Sequence, residues 1–262
     1  METGLRDRVA IVAASSQGLG RAAAEALAAE GARIAMCARN EQNLRAAADA
    51  IRQKHKVEVL QRAFDVTHAG LVQAFVNSVM EKFGRIDICV TNAGGPPAGG
   101  FLAHSLDDWR KAVELNLLST VSFCQAVIPH MRSRGWGRIL TVTSMAVKQP
   151  VPELVLSNSV RSAVVGLVRS LANEFGRDGI LVNNIAPGYT ATERLKDLGT
   201  TRSAALGIGA EEVMKRFGDE TALGRVAETR EFADVVVFLA SERASYITGQ
   251  TILVDGGAYK GV

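Results

Sequence analysis

Residues 8–40, RVAIVAASSQGLGRAAAEALAAEGARIAMCARN, hold two short apolar runs on either side of an alanine-rich helical pattern. The first run, RVAIVAA (8–14), ends at a turn containing Gly18 and Gly20. The second, RIAMCA (33–38), follows Gly31. Strand, glycine turn, helix and strand in that order make one βαβ unit.

The same alternation continues along the chain. VEVLQRAF (57–64), IDICVTN (86–92), RILTVTS (138–144), ILVNNIA (180–186) and TILVD (251–255) add five more apolar runs between helical patterns. Near-continuous apolar strands, rather than strands that alternate apolar and polar, belong to a parallel sheet covered on both faces. The expected fold is therefore α/β and doubly wound, with a seven-stranded parallel sheet. Ligands in such folds bind beyond the carboxyl ends of the strands.

A length of 262 residues suits a single α/β domain, and a 47% hydrophobic, 22% charged composition can fill its core. The net charge of +3 is dispersed along the chain, which argues against nucleic acid as a partner. Cys37, Cys89 and Cys124 are odd in number and widely spaced, as expected of reduced core residues in a cytoplasmic protein. His55, His68, His104 and His130 lack metal-site spacing, so no metal is expected. The N-terminus METGLRDR has no apolar signal region. No uninterrupted apolar run approaches the ~18 residues of a membrane span, and the chain is expected to be soluble.

Two connections are unusual. TNAGGPPAGGF (91–101) must be a loop, and SLDD from Ser105 has the spacing of a helix capping box. The segment from Pro187 to about Ala222 far exceeds the usual connection of about 2 to 6 residues. Its mixture of Leu195, Leu198, Ile208 and Met214 with Arg194, Lys196 and Arg202 reads as a helical flap over a substrate, the alternative being an inert surface insertion.

Gly18 and Gly20 lie where a strand turns into a helix, so the first helical amides can approach a pyrophosphate. After the second strand, where a protein that grips the ribose of NAD would present Asp or Glu, this chain has Ala38 and Arg39. An arginine there suits a 2′-phosphate and favours NADP(H) over NAD(H). Its alternative role is that of a solvated residue at a strand end.

These features, together with an ordered set of further motifs, resemble the short-chain dehydrogenase/reductase family over nearly the whole chain. AASSQGLG stands for the family's TGxxxGxG and TNAG for NNAG. Asp65 lies in FDVT, Asn116 in VELNLLS, and Ser144 closes TVTS; PGYTAT (187–192) and ITGQTILVDGG follow. The resemblance implies a Rossmann-like fold and an NADP(H)-dependent oxidoreductase similar to 3-oxoacyl-carrier-protein reductases. Its substrate would be a small carbonyl or secondary alcohol, and its assembly a homodimer or homotetramer.

By the same resemblance, Ser15, Gln17, Gly18, Leu19 and Gly20 meet the cofactor at the first turn. Arg39 takes the phosphate, and Asp65 and Val66 the adenine. Asn92, Ala93 and Gly94 take the ribose region, while Pro187, Gly188, Thr190 and Thr192 take the carboxamide. Ala14 replaces the family's first glycine, at a turn that would require positive φ unless the loop shifts.

The family places a tyrosine thirteen residues after its serine and a lysine four further on. Counting from Ser144 gives Ser157 and Arg161 instead, within ELVLSNSVRSA (153–163). Helical phase puts both on the face shared by Val164, Val168, Leu171 and Phe175, so both should point inward or into a cleft. A buried arginine needs a partner, either cofactor ribose or phosphate or a structural carboxylate. The resemblance makes Asn116, Ser144, Ser157 and Arg161 the catalytic set, with Arg161 also at the cofactor.

The proton donor stays open among three arrangements. Ser144 and Arg161 could stabilise an oxyanion while water delivers the proton, Tyr189 could turn inward, or Lys148 could donate. Two functions follow: an NADP(H)-dependent oxidoreductase with an atypical acid/base site, or a dinucleotide-binding protein with impaired catalysis.

Overall fold

All seven strands run parallel, in the order β3-β2-β1-β4-β5-β6-β7, in a computed structural model that describes residues 2–261. The strands are β1 (Val9–Val12), β2 (Arg33–Ala38), β3 (Val59–Ala63), β4 (Ile88–Thr91), β5 (Gly137–Val142), β6 (Ile180–Pro187) and β7 (Thr251–Val254). The chain builds outward from β1 to β3, crosses back to lay β4 beside β1, and then builds outward the other way. That reversal opens a crevice at the carboxyl ends of β1 and β4.

Of the nine α-helices among the described residues, six cover the sheet. One face takes α1 (Gly18–Ala29), α2 (Glu41–His55) and α9 (Thr229–Ala240); the other takes α3 (Ala69–Phe83), α5 (Ser119–Arg132) and α6 (Val155–Phe175). Residues of single strands divide between the faces. Ala10, Val12, Ile34 and Met36 enter the first core, and Val9, Ile11, Ala35 and Cys37 the second. Period-two strands buried on both sides are thus continuous apolar runs in sequence. Each fully buried aliphatic chain contributes about 1.5 to 3 kcal/mol.

Local chemistry sets the ends of several helices. Asn40 Oδ1 accepts from the Asn43 amide at 2.8 Å to start α2, and Lys56 ends it at φ +57°. Ser105 and Asp108 form the capping box anticipated for α4 (Leu106–Val113). A π-helical turn, Glu114–Leu118, joins α4 to α5 and leaves Asn116 buried. The continuous helical stretch Leu106–Arg132 is long and apolar enough in composition to cross a bilayer, yet half of its apolar window lies inside the protein, as in a core helix.

The long connection after β6 carries two helices, α7 (Glu193–Leu206) and α8 (Ala210–Asp219). They hold a small core of Leu195, Val213 and Phe217. The three cysteines are free and buried, and burial pushes the thiols of Cys37 and Cys124 up to about 12.

Candidate active site

The turn from β1 into α1 contains two residues in left-handed backbone. Ala14 has φ +48° and Gly18 φ +57°. The tight turn is thus kept without the glycine, at the cost of about 1 to 2 kcal/mol that a left-handed L-residue carries. Gly20 has a different role. A Cβ there would fall 2.4 Å from the Ala14 carbonyl oxygen and 2.9 Å from Asn92 Nδ2, so only glycine lets α1 approach the end of β1. Gln17 precedes the helix without a side-chain capping bond, and the first turn has no acidic residue. The leading amides of α1 are therefore not taken up by a side-chain cap.

From this turn a cavity of about 870 Å³ runs along the carboxyl ends of the strands. Gln17, Gly18, Leu19, Arg39, Asp65 and Val66 line one part of it. Asn92, Ala93, Gly94, Ser144, Ser157 and Arg161 line the next, and Pro187, Gly188, Thr190 and Thr192 close the far side. Burial raises the Asp65 carboxyl, but bonds from the Thr67 amide and hydroxyl outweigh it and hold the group below its usual range.

Three expected site residues lie behind the wall. The Ser15 side chain is fully buried, with Oγ donating to the Val12 carbonyl at 2.8 Å, so it secures the loop and does not border the cavity. Gly20 acts through packing, as described. Asn116 Nδ2 donates to the Gly94 carbonyl at 2.9 Å, while its Oδ1 is buried with no acceptor role filled among the described residues.

Arg161 is only 7% exposed, and the structural carboxylate considered as its partner is not the one it has. No carboxylate lies within ion-pair distance among the described residues. Instead Nη1 donates to the carbonyls of Val142 (2.9 Å) and Thr143 (3.2 Å), and Nη2 to those of Ala93 (3.4 Å) and Gly94 (3.3 Å). Arg161 thus ties the end of β5 to the loop after β4 and keeps only Nε–H without a protein acceptor among the described residues. Burial, and secondarily the charge of Arg194, pushes its pKa down to about 10.

Ser157 is also buried, at 8% exposure, and its hydroxyl makes no hydrogen bond to the described residues. Ser144 Oγ accepts from the Ala146 amide at 3.2 Å, which leaves its proton free to be donated. Two serine hydroxyls and one guanidinium therefore border the same part of the cavity.

Residues 13–259 match the family profile described as enoyl-(acyl carrier protein) reductase. The short-chain reductase protein NovJ of Streptomyces niveus is 36% identical over 252 residues, which span 96% of this chain and 94% of NovJ. The chain belongs to the short-chain dehydrogenase/reductase family. Among other relatives, 3-oxoacyl-[acyl-carrier-protein] reductase FabG of Aquifex aeolicus is 32% identical over 263 residues, covering 99% of this chain and 100% of FabG. L-sorbose reductase of Gluconobacter frateurii, solved with NADPH and L-sorbose, superposes with a TM-score of 0.95 at 34% identity, with complete coverage of both chains.

In this short-chain dehydrogenase/reductase, two of the groups considered as proton donors stand elsewhere. Tyr189 stacks on Phe217 with ring centroids 4.7 Å apart, and its hydroxyl donates to Glu220. Burial and that carboxylate raise its pKa. Neither Tyr189 nor the exposed Lys148 borders the cavity. A residue not assigned to the site from sequence does border it. Arg194, in the first turn of α7, donates through Nη2 to the Pro96 carbonyl at 2.7 Å. A cation in a first helical turn opposes the helix dipole, and this was the available sequence signal.

Proposed function

We propose that this protein is an NADP(H)-dependent oxidoreductase that interconverts a carbonyl and a secondary alcohol, with Ser157 and Arg161 in the places of the family's tyrosine and lysine. The observation that carries the reading is the cavity itself. It begins at the uncapped start of α1, passes the Arg39 cation at the end of β2, and ends among Ser144, Ser157 and Arg161. The donor set fits a dinucleotide: free helix amides for pyrophosphate, Arg39 for a 2′-phosphate, Asp65 and Val66 for adenine. The L-sorbose reductase complex with NADPH supports the same cofactor.

When bound, the reduced nicotinamide supplies a hydride to the carbonyl carbon. The residues here must orient that carbonyl and satisfy the negative charge on its oxygen. Ser144 and Ser157 donate their hydroxyl protons as hydrogen bonds, and the Arg161 cation adds a fixed positive field. Four of its N–H groups are committed to carbonyls, so it acts in place and does not shuttle a proton. Serine is too weak an acid to replace a phenol, and the required proton comes from water. Asn116 Oδ1, buried and without a partner among the described residues, fits a water held behind the site. In this reading α7 and α8 form the substrate flap of a single domain spanning 1–262.

The commitment of Arg161 to backbone carbonyls, with no tyrosine on the cavity wall, favours a second reading: dinucleotide binding with little turnover. NADPH fluorescence titration comes first. Saturable binding is expected, and Arg39→Ala should raise the NADPH Kd by about 10- to 100-fold, since a charge-assisted bond is worth about 1.5 to 3 kcal/mol. NADH affinity should change little. Failure to bind either dinucleotide overturns both readings; binding without NADPH oxidation on a carbonyl panel selects the second.

Assembly as a homodimer or homotetramer in the cytoplasm belongs to the proposal. An apolar groove of about 690 Å³ between α5 and α6, bordered by Val121, Ile128, Leu167 and Leu171, supports it. Light scattering after gel filtration reads the mass directly.

A further inference from the structure

The loop after β4 is held by two arginines that come from different elements. Arg161 on α6 takes the carbonyls of Ala93 and Gly94, and Arg194 on α7 takes that of Pro96. Gly95 lies between these contacts. A Cβ there would fall 3.0 Å from Arg194 Nε and Nη2, so a side chain at 95 would press on the guanidinium. The two cations are close enough for the charge of Arg194 to depress the pKa of Arg161. Both border the cavity, and neither has a carboxylate within ion-pair distance among the described residues.

Other charges at this end do not neutralise the pair. Glu193 borders the cavity as well, but its carboxylate is bound to Lys196 at 2.8 Å. Burial lowers the pKa of Arg194 despite the opposing charge of Asp197, which lies one turn further on, borders the cavity and forms no ion pair with it among the described residues. Arg161 is buried where an uncompensated charge is costly, whereas Arg194 remains accessible at the mouth. Two like charges facing one cavity beside Ser144 and Ser157 call for an anion that arrives with the substrate.

We infer that the carbonyl substrate is a short oxo acid, whose carboxylate is anchored by Arg194 in the field of Arg161. The inference rests on the oxidoreductase reading for the reaction but not for the binding. Arg194 keeps Nε–H and Nη1 donors beyond its bond to Pro96, and a guanidinium edge matches a carboxylate. The carboxylate also explains why a cation occupies a helix start that disfavours it.

Calorimetric titration of the NADP⁺-bound protein with 3-hydroxybutyrate, its longer homologues and their methyl esters tests the binding. Oxidation of NADPH on the matching oxo acids and oxo esters tests the reaction. The wild type should bind the acid about tenfold or more tighter than its ester. Arg194→Gln should erase that preference while NADP⁺ affinity stays within about twofold, and Arg194→Lys should restore part of it. Equal binding of acid and ester, or binding of neither, overturns the inference. So does an Arg194→Gln variant that loses NADP⁺ as steeply as the acid, since the partner is then the cofactor's pyrophosphate. An acid preference seen by calorimetry without NADPH oxidation upholds the anion site and removes the oxidoreductase reading alone.

Discussion

Ser157→Tyr combined with Arg161→Lys should raise NADPH-linked carbonyl reduction by about 10²- to 10⁴-fold, the usual contribution of a positioned general acid. Position 157 borders the cavity and its serine hydroxyl makes no bond to the described residues, so a larger side chain there displaces no hydrogen bond. The lysine keeps a cation beside the new phenol and lowers the energy of its ionised form. It can serve fewer carbonyls than the guanidinium, but the Gly94 carbonyl retains its bond from Asn116. Ser157→Tyr alone should give a smaller gain. Steady-state rates on a carbonyl that the wild type accepts, or on a broad panel if it accepts none, measure the effect. A folded, NADPH-binding double variant no faster than wild type would show that an acid at position 157 does not limit the reaction.

Gly20→Ala should lower stability by about 1 to 3 kcal/mol, the range for overpacking, and weaken NADPH binding in parallel. The added methyl would meet a backbone oxygen at 2.4 Å. That oxygen belongs to Ala14, which already stands at φ +48° and has little room to move. The start of α1 must shift, and the amides that face the cavity shift with it. For a chain of this size the Tm should fall by about 2 to 12 °C. Gly166→Ala is the control. It lies within α6 with nothing within 4 Å of the new methyl, and it should gain up to about 1 kcal/mol from helix propensity. Thermal melts of the two variants that moved together would remove the steric account of Gly20.

The strands were legible because burial on both faces leaves continuous apolar runs. RIAMCA matches β2 at both ends, while β1 stops short of Ala13 and Ala14, which turn away toward α1. The Ser105 capping box was legible because side chains form both of its bonds. The inward phase of Ser157 and Arg161 was legible from helix geometry alone. The partners of Arg161 were not. They are main-chain carbonyls of Ala93, Gly94, Val142 and Thr143, and a carbonyl acceptor leaves no mark in residue type. Tyr189 could not be assigned for a related reason, since its direction depends on α8, which brings Phe217 and Glu220 to it from far along the chain.

The crossing from β3 back to β4 divides the cavity wall by position in the chain. Every lining residue on one side comes from 14–66, and every one on the other from 92–198. In the proposed reading the groups that would tell NADP(H) from NAD(H) lie in the first stretch, while the second carries the remaining cofactor contacts together with the substrate's surroundings. On that reading, a swap of the first stretch between relatives should shift the preference between NADP(H) and NAD(H) while leaving the groups around Ser144, Ser157 and Arg161 in place.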